Sequence, residues 1–182
     1  MSEIISQKTQ HLPEIRNNSE SVKETANKLI ENMRDLIWAL NTENTTIANL
    51  LARIREYSTD YLEDYPIELH NLFPEILPKT PIIKEANREL FMVVKESLNN
   101  IVKHSKATDV FFKVEITSSN LLISIKDNGV GLNCDTDRKG NGLLIMPSRL
   151  RTIGGIFTIV SNNNEGTEIN IALPLKRIIK DS

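Results

Sequence analysis

A single cysteine, Cys134, occurs in the 182 residues. An internal disulfide framework is therefore excluded, and a cysteine-based zinc site has no ligand set. That usage fits a reducing, cytoplasmic setting. A surplus of charge of one sign is also missing. The 22 Lys and Arg against 24 Asp and Glu leave a formal net charge of −2, so no basic field argues for nucleic acid. Aromatic residues make up only 5%, which leaves few platforms for stacking single-stranded bases. No apolar run approaches the ~18 residues that a membrane helix needs. The opening MSEIISQKTQ lacks the basic region and apolar core of a signal peptide. What is present, 40% hydrophobic and 25% charged, is ordinary globular material of one or two domains.

The hydrophobic pattern divides the chain. Residues 2–11 form a short helical fragment, and Pro13 with Asn17, Asn18 and Ser19 breaks it. Ser19 or Ser21 can cap the next helix. There Val22, Ala26, Leu29, Met33, Leu36 and Leu40 recur at alternating spacings of four and three. This heptad seam, widened by Ile30 and Ile37, buries a stripe against partner helices in a bundle. After NTENTT a second helix, about 46–61, carries Ile47, Leu50, Leu51, Ile54 and Tyr57 on one side. The composition then turns proline-rich, with Pro66, Pro74, Pro78 and Pro81, and the domain boundary is placed between residues 62 and 63. A short strand over 65–72 is followed by a helix from Thr80-Pro81, a capping residue and a first-turn proline, to about residue 104. Strands at 109–117 and 121–126 make a hairpin. Residues 127–141 form a long polar loop, a kind that is usually functional. A helix over 142–153 ends at Gly154-Gly155, and strands at 156–161 and 167–173 complete the order. Hairpins beside helices give an α+β fold: a helical hairpin, then a two-layer α/β sandwich with a mixed, largely antiparallel sheet.

Three polar clusters interrupt this framework. In ESLNNIVKHSKA, Glu96, Asn100, Lys103 and His104 fall on one side of the helix. Asn100 offers a neutral oxygen to a hard cation such as Mg²⁺. Glu96 can polarise a water or accept a proton. Lys103 and His104 can neutralise phosphate. The competing explanation is a solvated face with Glu–Lys pairs. In DNGVG, residues 127–131, an aspartate at a strand end offers one fixed acceptor. The glycines that follow let backbone pass close to a flat ligand; a plain Asp-Asn-Gly turn would look the same. In KGNGLLIMPSR, residues 139–149, Gly140 and Gly142 precede a helix whose first N–H groups can face an anion, with Lys139 and Arg149 adding charge. A flexible loop and an ordinary cap are the alternative. The spacing is neither that of a P-loop nor that of a dinucleotide fingerprint.

Taken together and in this order, the clusters resemble the ATP-binding domain of the GHKL superfamily, which includes gyrase, the Hsp90 chaperone, histidine kinases and MutL. ESLNNIVKHSKA resembles its N box, DNGVG its first glycine box, GNGLLIMPSR its second, and EGTEINIALP its closing strand. The likeness covers roughly residues 65–176 and implies the Bergerat form of the two-layer sandwich. ENMRDLIWALNTENTTIANLLARIREY, with Trp38 and Asn41, resembles the dimerisation and phosphotransfer region of sensor histidine kinases paired with LuxR/NarL-type regulators. On that resemblance residues 1–62 are truncated dimerisation and phosphotransfer helices, and residues 63–182 are the catalytic domain. Asn100 would be the Mg²⁺ ligand and Glu96 the acid that assists phosphoryl transfer. Lys103 and His104 would approach the phosphates. Asp127 would accept the adenine amino group, and Gly129 and Gly131 would let backbone pass the base. Gly140 and Gly142 would flank the lid, and Thr167 would contact the adenine side. ATP and Mg²⁺ are the implied cofactors. A LuxR/NarL-type response regulator and a second copy of the chain, docked through the 22–40 helix, are the implied partners.

Two departures stand out. None of His11, His70 and His104 has the Asp or Glu neighbour and basic context of the phosphate-accepting histidine. The chain is therefore expected to begin just after the acceptor site, as a truncated piece or a natural variant, and to bind ATP without phosphorylating itself. Asn141 stands where the second glycine box commonly has histidine. Two other readings share the same ATP site: a non-catalytic dimerising scaffold, and a serine kinase of the anti-sigma-factor type. Intact Glu96 and Asn100 speak against the first. The heptad helix speaks against the second.

Overall fold

A computed structural model of the chain describes residues 45–132 and 141–180, together with the helical positions Val22, Ala26, Ile30 and Met33. The chain forms two compact units, Met1–Asn41 and Thr42–Ser182. In the first, Val22, Ala26, Ile30 and Met33 are all helical and exposed. The rest of the proposed seam, Trp38, His11 and the 2–11 fragment lie outside the described residues.

The second unit holds a five-stranded sheet in the order β1-β2-β3-β5-β4. Its strands are β1 (Glu68–Leu72), β2 (Asp109–Ile116), β3 (Asn120–Asp127), β4 (Ile156–Ser161) and β5 (Thr167–Pro174). β1 runs parallel to β2, and every other pairing is antiparallel. Period-two alternation sends Val110, Phe112 and Val114, then Leu121, Ile123 and Ile125, then Ile169, Ile171 and Leu173 to one face. That face takes the helices, α1 (Ile47–Glu63), α2 (Lys84–Asn100) and α3 (Asn141–Thr152), with the short α4 (Leu175–Ile178) after the last strand. Helix α2 buries Ala86, Leu90, Val93, Val94 and Leu98, a stripe with helical spacing. The opposite face of the sheet is mixed polar and apolar, with Lys113, Glu115, Ser124, Glu168 and Asn170 on it. The architecture is the two-layer α+β sandwich.

Helix α1 is capped by Thr46, whose Oγ1 accepts from the Asn49 N–H at 3.1 Å. It buries Ile47, Leu50, Leu51, Ile54 and Leu62 and packs on α2. It therefore lies in the same compact unit as the sheet, and the two units divide at residue 41 rather than at 62. Burial on this sandwich decides the matter: α1 contributes to its core, whereas the change in composition marks only the exposed connection after the helix.

Helix α2 begins at Lys84 rather than at Pro81. The backbone at 80–83 is already taken: Ile47 N–H donates to Thr80 O, Ile82 N–H to Thr45 O and Ile83 N–H to Ile178 O. Two isolated bridges, Thr46 with Pro81 and Ile82 with Ile179, use the residues that would otherwise have made the first turn. At its far end the α-helix stops at Asn100, and Ile101–Ser105 continues as a π-helical turn, a wider geometry often found at functional sites. Left-handed Lys106, φ 55°, ends it. The expected strand over 65–72 forms only from Glu68. Helix α3 holds Pro147 in its interior, where the ring removes one helical hydrogen bond.

Leu98 is fully buried at the helix–sheet contact. Leu98→Ala is expected to lower the unfolding free energy by about 2–5 kcal/mol, read as a lower urea midpoint with unchanged slope.

Candidate functional site

Strand β3 keeps its alternation to the last residue, and that residue is Asp127. The pattern that buries Leu121, Ile123 and Ile125 therefore buries a carboxylate, only 2% exposed. Its Oδ1 accepts the Gly129 N–H at 2.8 Å, and the Thr167 backbone N–H donates to the same carboxylate. Burial pushes the carboxyl above its ordinary value, and the two backbone donors pull the other way. An acceptor with unused lone pairs is thus held in the wall of a recess that Ile125, Ile159 and Ile169 also line.

The turn after it is fastened on three sides. Val130 N–H donates to Ser105 O at 2.8 Å, and Asn164 N–H donates to Val130 O at 2.9 Å. The Asn128 amide accepts from the Thr108 and Asp109 N–H groups at 2.9 and 3.0 Å and donates to Thr108 Oγ1 and Asp109 Oδ2. Close approach explains two of the glycines. A Cβ on Gly129 would run into the Ser105 carbonyl, and one on Gly166 into the Asp127 carbonyl. Gly166 also has φ +83°, which L side chains rarely adopt.

Across the recess, α2 and the π turn supply Ser97, Asn100, Ile101, His104 and Ser105. Asn100 Nδ2 is buried with no hydrogen-bond partner among the described residues, so the amide has donor capacity to spare and an oxygen beside it. Ser97 and Ser105 turn their hydroxyls back onto Val93 O and Ile101 O, each at 2.8 Å. The wider π turn leaves His104 on the cleft wall and Lys103 exposed and off it. Glu96 does not line the cleft. Its carboxylate rests against Gly142 at the start of α3, so closely that a Cβ there would overlap Oε1. Gly142 is thus a glycine because Glu96 occupies the space a side chain would need.

These walls enclose a cleft with about 830 Å³ of empty space, its open mouth included. Asn100, His104, Asp127, Gly131, Gly142 and Thr167 line it together. Gly129 sits behind the wall, between Asp127 and Ser105. Gly140, Lys139 and the side chain of Asn141 lie outside the described residues. Arg149, expected to add charge to an anion site, is instead committed to an ion pair with the buried Glu89. Its Nη1 donates to Glu89 Oε2 at 2.7 Å, and Arg88 holds the other oxygen of Glu89. A carboxylate that is 5% exposed requires such partners. His70 is also engaged, with Nε2 3.0 Å from Asp109 Oδ1 and its ring stacked on Phe111. With Glu68 and Asp109 it forms the one metal-type trio among the described residues.

Three residues of the site had no signature in the sequence. Asn128 reads as turn chemistry, Ser105 as the end of a helix, and Ser161 as an ordinary strand residue. Ser161 Oγ nevertheless joins Leu132 N–H, Gly166 O and Thr167 Oγ1 at 2.8, 3.0 and 3.1 Å. Only the register of β4 against β5, which pairs Ser161 with Thr167, brings these groups together.

Comparison with known families matches residues 85–177 to the histidine kinase-, DNA gyrase B- and HSP90-like ATPases. The match spans all three clusters and half of the chain. The chain belongs to this family. The likeness to sensor histidine kinases continues beyond the matched domain. The chain is 28% identical over 155 residues to sensor histidine kinase LiaS of Bacillus subtilis, covering 85% of this chain and 42% of that protein. It is 37% identical over 147 residues to sensor protein VraS of Staphylococcus haemolyticus, covering 80% and 41%. It thus spans about two-fifths of the length of these curated relatives. Among solved structures, the histidine kinase domain of the blue-light activated histidine kinase from Erythrobacter litoralis EL346 superposes with a TM-score of 0.60 at 20% identity. That superposition covers 79% of this chain and 70% of that one, and shows the shared fold. This chain carries the family's ATPase domain.

Because burial raises the Asp127 pKa, the folded state prefers the protonated carboxyl. Its contribution to stability is complete below the ordinary value of 3.8 and is lost as pH rises through the higher folded value. Urea unfolding of the wild-type chain and Asp127→Asn across the acidic range should therefore differ by an amount that changes over that window and levels off above it. Gly166→Ala is expected to lower stability by more than about 1 kcal/mol, measured the same way.

Proposed function

We propose that this chain is the ATP-binding catalytic region of a two-component sensor histidine kinase. One observation carries the reading: a single cleft is lined by a buried carboxylate and, from α2 and the π turn, by an amide with unused donor capacity and an imidazole. The first suits a flat base that donates a hydrogen bond. The second suits a polyphosphate and its cation. Asp127 accepts the exocyclic amino group of adenine, and Thr167 supports it from the adjoining strand. Ile125 and Ile169 offer the base an apolar surface. Gly129 and Gly131 let the first glycine turn close around the base.

Toward the phosphates, Asn100 would hold Mg²⁺ through its amide oxygen and turn its free N–H toward a phosphate oxygen, a fit that its unpaired Nδ2 supports. Bound there, the cation would neutralise charge on the transferring group. His104 faces the same region, with exposed Lys103 beside it. Glu96 orients the attacking nucleophile or takes its proton, once Gly142 at the start of α3 moves off it. Phosphoryl transfer asks a protein mainly for position and charge neutralisation, and these groups offer both.

The acceptor is a histidine that we do not assign within this chain. His70 is bound to Asp109, and His104 belongs to the cleft. The onward partner is a response regulator, of the LuxR/NarL type by the resemblance of the α1 region. Pairing with a second copy is supported by the exposed apolar positions Val22, Ile30 and Met33 on one helical stripe. Residues 1–41 would serve this pairing and the unit from Thr42 onward, α1 included, the chemistry. No described helix is long and apolar enough to cross a membrane; we place the region in the cytoplasm.

Calorimetric titration with ATP tests this directly. The wild-type chain is expected to bind ATP more tightly with Mg²⁺ than without. Asn100→Ala should erase the Mg²⁺ dependence, and Asp127→Asn should weaken binding at least about tenfold in either condition. A folded wild-type chain that ignores ATP would refute the proposal.

A further inference from the structure

The hydroxyl of Ser161 has one proton and two lone pairs, and three neighbours claim them. Leu132 N–H, at 2.8 Å, can only donate. Gly166 O, at 3.0 Å, can only accept. The Ser161 proton could go to Gly166 O or to Thr167 Oγ1, and we assign it to the carbonyl, which has no proton of its own to offer and is the shorter contact. The third neighbour, Thr167 Oγ1 at 3.1 Å, is left one arrangement: its own hydroxyl must donate to Ser161. With its proton spent there, Thr167 turns only lone pairs toward the cleft it lines. The Thr167 backbone N–H donates to the Asp127 carboxylate, so the Thr167 hydroxyl and the carboxylate stand side by side.

We propose that Ser161, a residue outside the cleft wall, sets base specificity by fixing Thr167 as an acceptor. The cleft then selects 6-aminopurine nucleotides and rejects 6-oxopurines. An exocyclic amino group brings two N–H donors to this pair of acceptors, directly or through a water. A 6-oxopurine presents a carbonyl there, a third acceptor, and its single ring N1–H can satisfy only one of the two. The inference rests on the nucleotide reading above and assigns Ser161 a positioning role. Without its hydroxyl the Thr167 proton is free to swing into the cleft and serve a 6-oxo group.

The test compares dissociation constants for ATP and ITP, which differ in having an amino or an oxo group at that position and, with it, in whether ring N1 accepts or donates. The wild-type chain should favour ATP strongly. Ser161→Ala should lower the ITP-to-ATP ratio of dissociation constants about tenfold, mainly through tighter ITP binding. Ser161→Thr, which keeps the hydroxyl, should retain the wild-type ratio. In a Thr167→Val background, Ser161→Ala should change the ratio no further, because the residue it acts through is gone. Should Ser161→Ala fail to fold, Ser161→Cys, with a weak and longer donor, is read the same way. General loosening of the site would weaken both nucleotides alike. ATP binding with an unchanged ratio in a folded Ser161→Ala or Ser161→Cys chain would overturn this inference alone. A folded wild-type chain that binds neither nucleotide would overturn it together with the nucleotide reading.

Discussion

The burial of one carboxylate organises this molecule. Asp127 ends a strand whose every second side chain is core, so the sheet's own period carries it under cover. An acid in that position destabilises the fold unless donors meet it. The chain supplies two, the backbone N–H groups of Gly129 and Thr167. Supplying them demands that two separate backbone segments come within touching distance of β3. The glycines at 129 and 166 make that approach possible, and a methyl group at either would collide with a carbonyl. The turns after β3 and before β5 are thus consequences of satisfying Asp127 while leaving part of it free to accept.

From that junction the rest of the site follows by attachment. Ser105 O takes the Val130 N–H, tying the first glycine turn to the end of the π turn and so to the helix that carries Asn100 and His104. Asn128 ties the same turn to the start of β2. Ser161 ties the residue after it to β5. The strand-end carboxylate and the helix side of the cleft are therefore one hydrogen-bonded body. Glu96 stands apart, pressed against Gly142 at the start of α3. The transfer role proposed for it thus depends on movement of that segment, whereas the proposed base recognition does not. On the proposed reading, nucleotide capture and phosphoryl transfer are separable in this arrangement.

Much of this was legible in the sequence, and for a physical reason. The strands and α2 bury long, regular apolar patterns, and the three polar clusters stand out because they interrupt them. Asn100, His104, Asp127, Gly131, Gly142 and Thr167 were each readable as candidates, and the fold brings them to one cleft. What stayed hidden depends on non-local pairing. Thr80-Pro81 has the composition of a helix start, but bridges to Thr46 and Ile179 claim its backbone. The composition puts a boundary after residue 62, yet α1 packs on α2. Arg149 reads as free charge near an anion site until its partner, buried Glu89 sixty positions earlier, is known. Ser161 carries no local pattern at all, since its importance lies in the register of β4 on β5.

The most direct test follows the Asp127 carboxyl itself. Its ¹³C resonance, titrated in the free chain and again in saturating ATP, reports its protonation in both states. The carboxylate is the adenine acceptor in this account, and an amino group donating to it favours the charged form. Its pKa should therefore lie above the ordinary aspartate value in the free chain and fall when ATP binds. A value that ATP leaves unchanged, or raises, would contradict the account, because the buried carboxylate would then not be what holds the base.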